Sequence, residues 1–457
     1  MPAFSEISAF RFGYGLSPHQ APSDSPDAVL AALRGEDHLA ARWPGMGLAQ
    51  ALEMQREFLR LKRAERDDPD AVGPAFKRHK QSLHEALIGS LQITLARGVE
   101  DPTGLRERLM GFWSDHFTIR SRRLLEQSLA VSHAETALRP HLTGRFPDML
   151  RAAVTHPMML HYLDQVNSVG PNSRLAQKKP QRQLGLNENL AREVMELHTL
   201  GVGGSYTQDD VRQLAELFTG MRANGEEGFF FNPDLAEPGA EQVLGVRYGG
   251  DPATLAPIFE ALDALALHPD TARHLSHKLA AHFIGSDPAP DLVAAMAERY
   301  LAQDGALLPV YEVLLTHPEA QSDLGAKLRQ PLEFIAASLR ALGLTGADVM
   351  ALDPAQMRRH VYWPLRVMGQ RWLGAPGPDG WPEEAEAWIA PQQLAARIQW
   401  ALAAPRQILP KLPDPRDFVE QALGARASEA LRFAVPRAEA RHEAIALVLV
   451  SPEFSRR

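Results

Sequence analysis

Ala, Leu, Glu, Arg and Gln fill most segments of this 457-residue chain, and runs of Val, Ile and Thr long enough to favour strands are scarce. Straight-chain residues lose little rotamer freedom in a helix, whereas β-branched ones suit a pleated sheet, so the backbone is biased to helix nearly everywhere. Apolar residues recur at three and four spacing through residues 48–65, 77–95, 105–119, 187–200, 208–219, 292–302 and 392–403. That is the period of helices burying one face. The expected fold class is all-α, a large multi-helix body.

Two stretches break the pattern. Residues 225–250 hold two short apolar runs separated by Pro, Asn, Asp and Gly, the composition of a small β-hairpin, expected near residues 226–248. It divides an N-terminal helical half (1–224) from a C-terminal half (251–457), with the two halves packing as one composite domain. Residues 374–391 are rich in Pro and Gly and carry Trp381 and Trp388. They read as a surface connection pinned by two buried indoles.

Composition then narrows the function. Without cysteine, disulfides, iron–sulfur clusters, thiolate zinc sites and cysteine nucleophiles are excluded. A net charge of −8 argues against a nucleic-acid surface, which needs a basic stripe. No apolar run approaches the ~20 residues of a membrane span. The opening MPAFSEISAFRFGYG lacks the apolar run of an export signal, so the expectation is a cytoplasmic protein. No nucleotide or flavin motif is present: there is no P-loop and no Gly-x-Gly-x-x-Gly. Gly-x-Ser-x-Gly, His-Glu-x-x-His and the paired Glu-x-x-His of carboxylate-bridged metal bundles are missing too.

Histidine placement separates caps from candidates. Helical stretches end at Thr155-His156-Pro157, Leu267-His268-Pro269, Thr316-His317-Pro318 and Val450-Ser451-Pro452. Proline suits the first helical position and the residue before it caps the helix. Since Ser fills that place in the fourth copy, the three histidines are expected to be caps rather than ligands.

The strings FRFGYG (10–15), LRERLMGFWSDHFT (105–118), LHYLDQVNSVGPNS (160–173), GLNENLAREVMELHTLGVGGSYTQDDV (185–211) and SPEFSRR (451–457) together resemble the bacterial family catalogued as domain of unknown function 1800. The likeness runs over nearly the whole chain. The family brings no agreed activity. The resemblance implies that many members carry export signals and sit beside genes for a sulfatase-like partner protein. It also implies a His where this chain has Ala236.

The same strings supply the candidate site. On a helical wheel His116 falls among Leu109, Phe112, Trp113 and Phe117, with Asp115 at the edge of that arc, and His198 falls among Leu190, Val194 and Met195. Both imidazoles are expected to be buried. In the functional reading His116, His198, Glu193 and Asp164 converge as catalytic groups around a pocket that water can enter, where burial poises a general base. His161, Asn167, Asn172, Asn189 and Asp115 are candidate ligand-binding residues, His161 and Asp164 being spaced to pair on one helix face. A divalent metal held by His116, Asp164, Glu193 and His198 is one version of that site. Residues 174–184, with four basic and no acidic residues, read either as an ordinary solvated loop or as a lid over a small polar or anionic ligand. Glu188–Arg192 and Arg192–Glu196 read as ordinary intrahelical ion pairs. The available groups favour a hydrolase. The alternative is a non-catalytic structural or assembly partner of a sulfatase-like protein, in which these strings are packing and capping devices.

Overall fold

The computed structural model describes residues 3–181, 184–321 and 324–457. Its longest helix shows how local sequence sets the architecture. Asp68 accepts a hydrogen bond from the Ala71 backbone N–H, Pro69 takes the first helical position, and the helix runs Pro69–Glu100. At 1.5 Å per residue its 32 residues span about 48 Å. Its first turns pack on the preceding helix, Leu48–Asp67, through Phe58, Leu61, Phe76 and Leu83. Its later turns give Ile88, Leu91, Leu95 and Val99 to a different hydrophobic core.

The body is all-α, as the periodicity requires, and it holds two large cores. The first gathers buried side chains between Ile7 and Ala320, with Leu105–His116, Gln208–Leu217, Ala256–Ala266 and Pro269–Phe283 among its helices. The second joins the end of the long helix to Pro331–Ala341, Pro391–Ala403, Pro415–Leu423 and Arg441–Val450. Residues 225–250 therefore do not separate the cores, because Val243 and Tyr248 are buried in the first one and the helices from 256 to 316 belong to it as well.

Four short strands between Met221 and Gly250 form two hairpins, where the sequence pattern suggested one. Strand β1 (Met221–Asn224) pairs antiparallel with β2 (Gly228–Phe231), and β3 (Gly239–Val243) with β4 (Val246–Gly250). Each hairpin closes locally. Asn224 Oδ1 accepts from the backbone N–H groups of Glu226 and Glu227 in the first turn. Leu244 and Gly245, both at positive φ, make the two-residue turn of the second.

The cap expectation holds in detail. His156 Nδ1 accepts from the Met158 N–H at 3.1 Å, His268 Nδ1 from Asp270 at 3.1 Å and His317 Nδ1 from Glu319 at 3.2 Å. Ser451 does the same for Phe454. The helix that begins at Asn189 changes form: Asn189–Glu193 is α-helical, then Val194–His198 widens into a π-helix, as Ser8–Phe12, Ala134–Leu138 and Arg358–Tyr362 also do.

An early segment straps the two cores together. Phe12 is buried in the first and Tyr14 in the second. Arg11 donates to the carbonyl of Ala320, 309 residues away, at 2.7 Å. The Arg329 guanidinium lies between the rings of Phe10 and Phe454, 5.8 and 5.1 Å from their centroids.

Candidate functional site

A cavity of about 170 Å³ opens along the seam between the cores. Its lining includes Glu107, Arg108, Gly111 and Asp115 of the helix Leu105–His116, together with His133, Trp372 and Trp381. Clefts between packed units are common places for ligands. Most of the buried charged groups in the walls are paired. Glu107 takes two hydrogen bonds from Arg139, at 2.8 and 2.9 Å, and Glu135 takes 2.6 Å from Arg97. Arg108 pairs with Glu333, which also receives Arg457 Nε at 3.0 Å. Burial alone would raise the Glu333 pKa, but Arg108 and Arg457 outweigh it and hold the carboxyl down at about 2.

Asp115 is the exception in this lining. The turn Gly377-Pro378-Asp379-Gly380 brings the Trp381 backbone N–H onto its carboxylate, 2.9 Å from Oδ1 and 3.1 Å from Oδ2. Gly380 sits at φ +88°, and a Cβ there would lie 2.7 Å from Asp115 Oδ2, so only glycine allows the approach. Burial pushes the Asp115 pKa up to about 7 against the Trp381 hydrogen bond and the nearby Lys278, while Glu383 and Asp379 add to the rise. Lys278 is shifted down, first by burial, and it faces Asp115, Glu383 and Asp379.

The structure brings His116 and His198 together but not to the cavity wall. Their rings are 5.9 Å apart, His116 Nε2 is 3.2 Å from the His198 carbonyl, and their exposures are 2% and 1%. Phe112, Trp113, Phe117 and Phe146 surround His116, and His274 completes a trio of imidazoles 6.3 Å from it. Burial, helped by the Lys278 charge, holds all three neutral: His116 well below its usual value, His198 at about 3 and His274 at about 4. The Nδ1 atoms of His116 and His198 have no hydrogen-bond partner.

Glu193 ends the α-helical part of the helix that carries His198. Its pKa is pushed up to about 7, first by burial and then by Glu196 and Asp379. Tyr162 feels the charges of Glu193, Arg122 and Asp379, which places these groups in one neighbourhood. Asp164 pairs with Arg122 at 3.1 Å rather than with His161, and only the Asp164 N–H reaches the His161 carbonyl. Burial lowers the His161 pKa, with Glu126 and Asp164 acting against it.

The candidate asparagines have partners close by. Asn172 binds Glu237 through its backbone N–H, at 2.9 Å, and through its side chain. Asn189 donates its backbone N–H to Asn187 Oδ1 at 2.9 Å, and the backbone N–H of exposed Asn167 closes a short turn on the Asp164 carbonyl. The expected fourfold convergence of His116, Asp164, Glu193 and His198 is thus not formed, because Asp164 is drawn off to Arg122. Among the described residues no group of three or more His, Asp or Glu is arranged to hold a metal ion. In the basic segment Arg174 pairs with Asp234 at 3.5 Å and Ser173 caps the short helix Arg174–Lys178. Arg182 lies outside the described residues. The intrahelical pairs of Arg192 with Glu188 and Glu196 both form, at 3.2 Å.

Sequence reasoning missed Lys278, Asp379 and Glu383. A signal was present for the first: Lys278 follows His274 by four residues between Leu275 and Leu279, on a helix with buried neighbours on both sides. Trp388 is buried as expected and its Nε1–H meets the Pro382 carbonyl at 2.9 Å, but Trp381 is only partly buried, at the cavity rim.

These features define a helical protein with two cores, a cavity at their seam and a raised-pKa carboxyl in its wall. The family described as "Protein of unknown function (DUF1800)" matches residues 8–456, and the chain belongs to it. No curated protein and no solved structure matches the chain. Among the described residues no helix is long and apolar enough to cross a membrane.

Proposed function

We propose that this chain is a hydrolase-like enzyme that holds a small polar ligand in the seam cavity and uses Asp115 as its acid–base group. The carrying observation is Asp115 itself, a cavity-wall carboxyl fixed by the Trp381 N–H and poised at about 7. Such a group is both acid and base near neutrality, which general acid–base catalysis needs. Glu193, raised to the same range, is a second carboxyl that serves the neighbouring Tyr162 and Asp379 face. His116 and His198 act at one remove, by fixing the helix that carries Asp115 against the π-helix.

The test is an assay of the purified chain with p-nitrophenyl acetate, phosphate, sulfate and β-glucoside between pH 5 and 9. The expected result is turnover of at least one ester above the blank, with an apparent pKa near 7. Asp115→Asn should lower it by about 10²-fold or more while leaving the fold intact by circular dichroism. Turnover that survives Asp115→Asn, or no turnover of all four, counts against the proposal.

A second reading, a non-catalytic partner of a sulfatase-like protein, draws on one surface feature. Trp363 and Val367 are exposed on one helix and Leu394 and Ile398 on another that packs beside it. Adjacent exposed apolar side chains mark interaction surfaces. Co-purification with such a protein, abolished by Val367→Arg, would favour this reading.

A further inference from the structure

Lys278 lies in Pro269–Phe283 between buried Leu275 and Leu279 and is itself partly buried. Among the described residues it makes no hydrogen bond and no ion pair. Its nitrogen is not one of the sealed, unpartnered polar atoms, so a small molecule reaches it. The three carboxylates that it faces are engaged elsewhere or in water. Asp115 holds the Trp381 N–H, Glu383 takes His282 Nδ1 at 2.6 Å and Lys327 Nζ at 2.7 Å, and Asp379 is exposed. Its other charged-range neighbours are His116, His198 and His274, which burial keeps neutral. Lys327 makes the contrast: it is more deeply buried, yet its ammonium is tied to the Glu383 carboxylate and carbonyl.

We infer that Lys278 is an amine nucleophile that forms an imine with a small, uncharged aldehyde or ketone, with Asp115 carrying the protons of the step. The inference rests on the reading of Asp115 as an acid–base group and names a substrate class for it. An ammonium has no lone pair to give, and desolvation is the usual way to keep a lysine neutral. Burial is the largest influence on Lys278 and moves its pKa down against the pull of Asp115, Glu383 and Asp379. A substrate without negative charge suits this place, since an anion would approach the same three carboxylates.

The step balances without a redox partner. The Nζ lone pair bonds to the carbonyl carbon, and the carbonyl π electrons move to oxygen, which takes the Asp115 proton. The nitrogen gives a proton back to the carboxylate, and Asp115 passes it to the new hydroxyl. The C–O bond then breaks, water leaves, and the nitrogen lone pair completes the C=N bond, whose N–H proton returns to Asp115. Amine and carbonyl have become imine and water. A carboxyl at about 7 can give and take these protons near neutrality.

The test is reductive trapping of the purified chain with propanal and sodium cyanoborohydride at pH 7, read by peptide mass spectrometry. Lys278 should be labelled at least tenfold faster than exposed Lys411. The lead should shrink towards pH 10, where ordinary lysines, with a pKa of about 10.4, also lose their protons. Glyoxylate, an anionic aldehyde, should give a clearly smaller Lys278-to-Lys411 ratio, because the ratio cancels the different reactivities of the two aldehydes. Asp115→Asn, with an unchanged circular dichroism spectrum, should slow the labelling of Lys278 and leave that of Lys411 as it was. Lys278 labelled no faster than Lys411, a lead unmoved by Asp115→Asn, or equal ratios for the two aldehydes would overturn the inference. The first of these outcomes is read on the wild type alone and so needs no variant to fold. The two readings fail separately. Unselective labelling with Asp115-dependent ester turnover removes only the imine, and selective, Asp115-dependent labelling without ester turnover removes only the hydrolysis.

Discussion

Trp381 donates its backbone N–H to both carboxylate oxygens of Asp115, 266 residues earlier in the chain. This contact joins the connection between two of the second core's helices, Pro331–Ala341 and Pro391–Ala403, to the helix that forms one cavity wall. Gly380 makes it sterically possible, so Gly380→Ala should strain both the positive φ and the approach to Asp115. The expected loss is roughly 1–3 kcal/mol, read from the midpoint of urea unfolding. An unchanged midpoint would mean that the turn yields freely.

Gly89→Ala is the opposite case. Gly89 lies inside Pro69–Glu100 and its added Cβ meets nothing within 4 Å. Alanine there should stabilise the protein by roughly 0.5–1 kcal/mol, seen as a higher midpoint in the same experiment.

Acid should destabilise the fold through its buried histidines. His133 and His198 sit at about 3 and His274 at about 4, all depressed by burial from the usual 6.5. The unfolded chain takes up protons first, so their contribution is complete above pH 6.5 and falls as pH drops through 6.5 towards those values. Each should cost on the order of 1 kcal/mol per pH unit in that window. Melting temperatures between pH 7 and 4 check this, and His198→Phe should flatten the decline.

Glu333→Gln leaves the guanidinium groups of Arg108 and Arg457 buried without their carboxylate. Breaking such a pair from one side costs about 3–5 kcal/mol, so the variant should unfold at a markedly lower urea concentration. A loss below about 1 kcal/mol would show that water reaches this network.

Asp115→Asn should behave the other way. The native fold raises this carboxyl from 3.8 to about 7, which favours its protonated form, so ionisation costs stability as pH rises through that interval. The asparagine variant should therefore be at least as stable as the wild type at pH 8. A clear loss of melting temperature at that pH would assign Asp115 a structural role.

Helices were legible because one buried face repeats every three or four residues. The wheel also set His116 and His198 on apolar arcs, and both are buried. Capping was legible for a similar reason, as a proline and its preceding residue act within one turn. The cavity was not, since its walls come from both cores and no local pattern reports which helices face each other. Asp115 stood at the edge of its arc in sequence, and only the distant Trp381 N–H distinguishes it from an ordinary boundary carboxylate. Asp164 looked like a partner for His161 by spacing, but its left-handed backbone, φ 58°, ends the helix and turns the side chain to Arg122.

The strap at Phe10–Tyr14 bears on how the chain matures in the cell. Arg11 is made early, yet its acceptor at Ala320 is translated 309 residues later. At about 5–20 residues per second the ribosome needs roughly 15–60 s to supply it. Throughout that interval the nascent polypeptide exposes Phe10 and Phe12 without their mates, which makes this stretch a natural foothold for chaperones during synthesis.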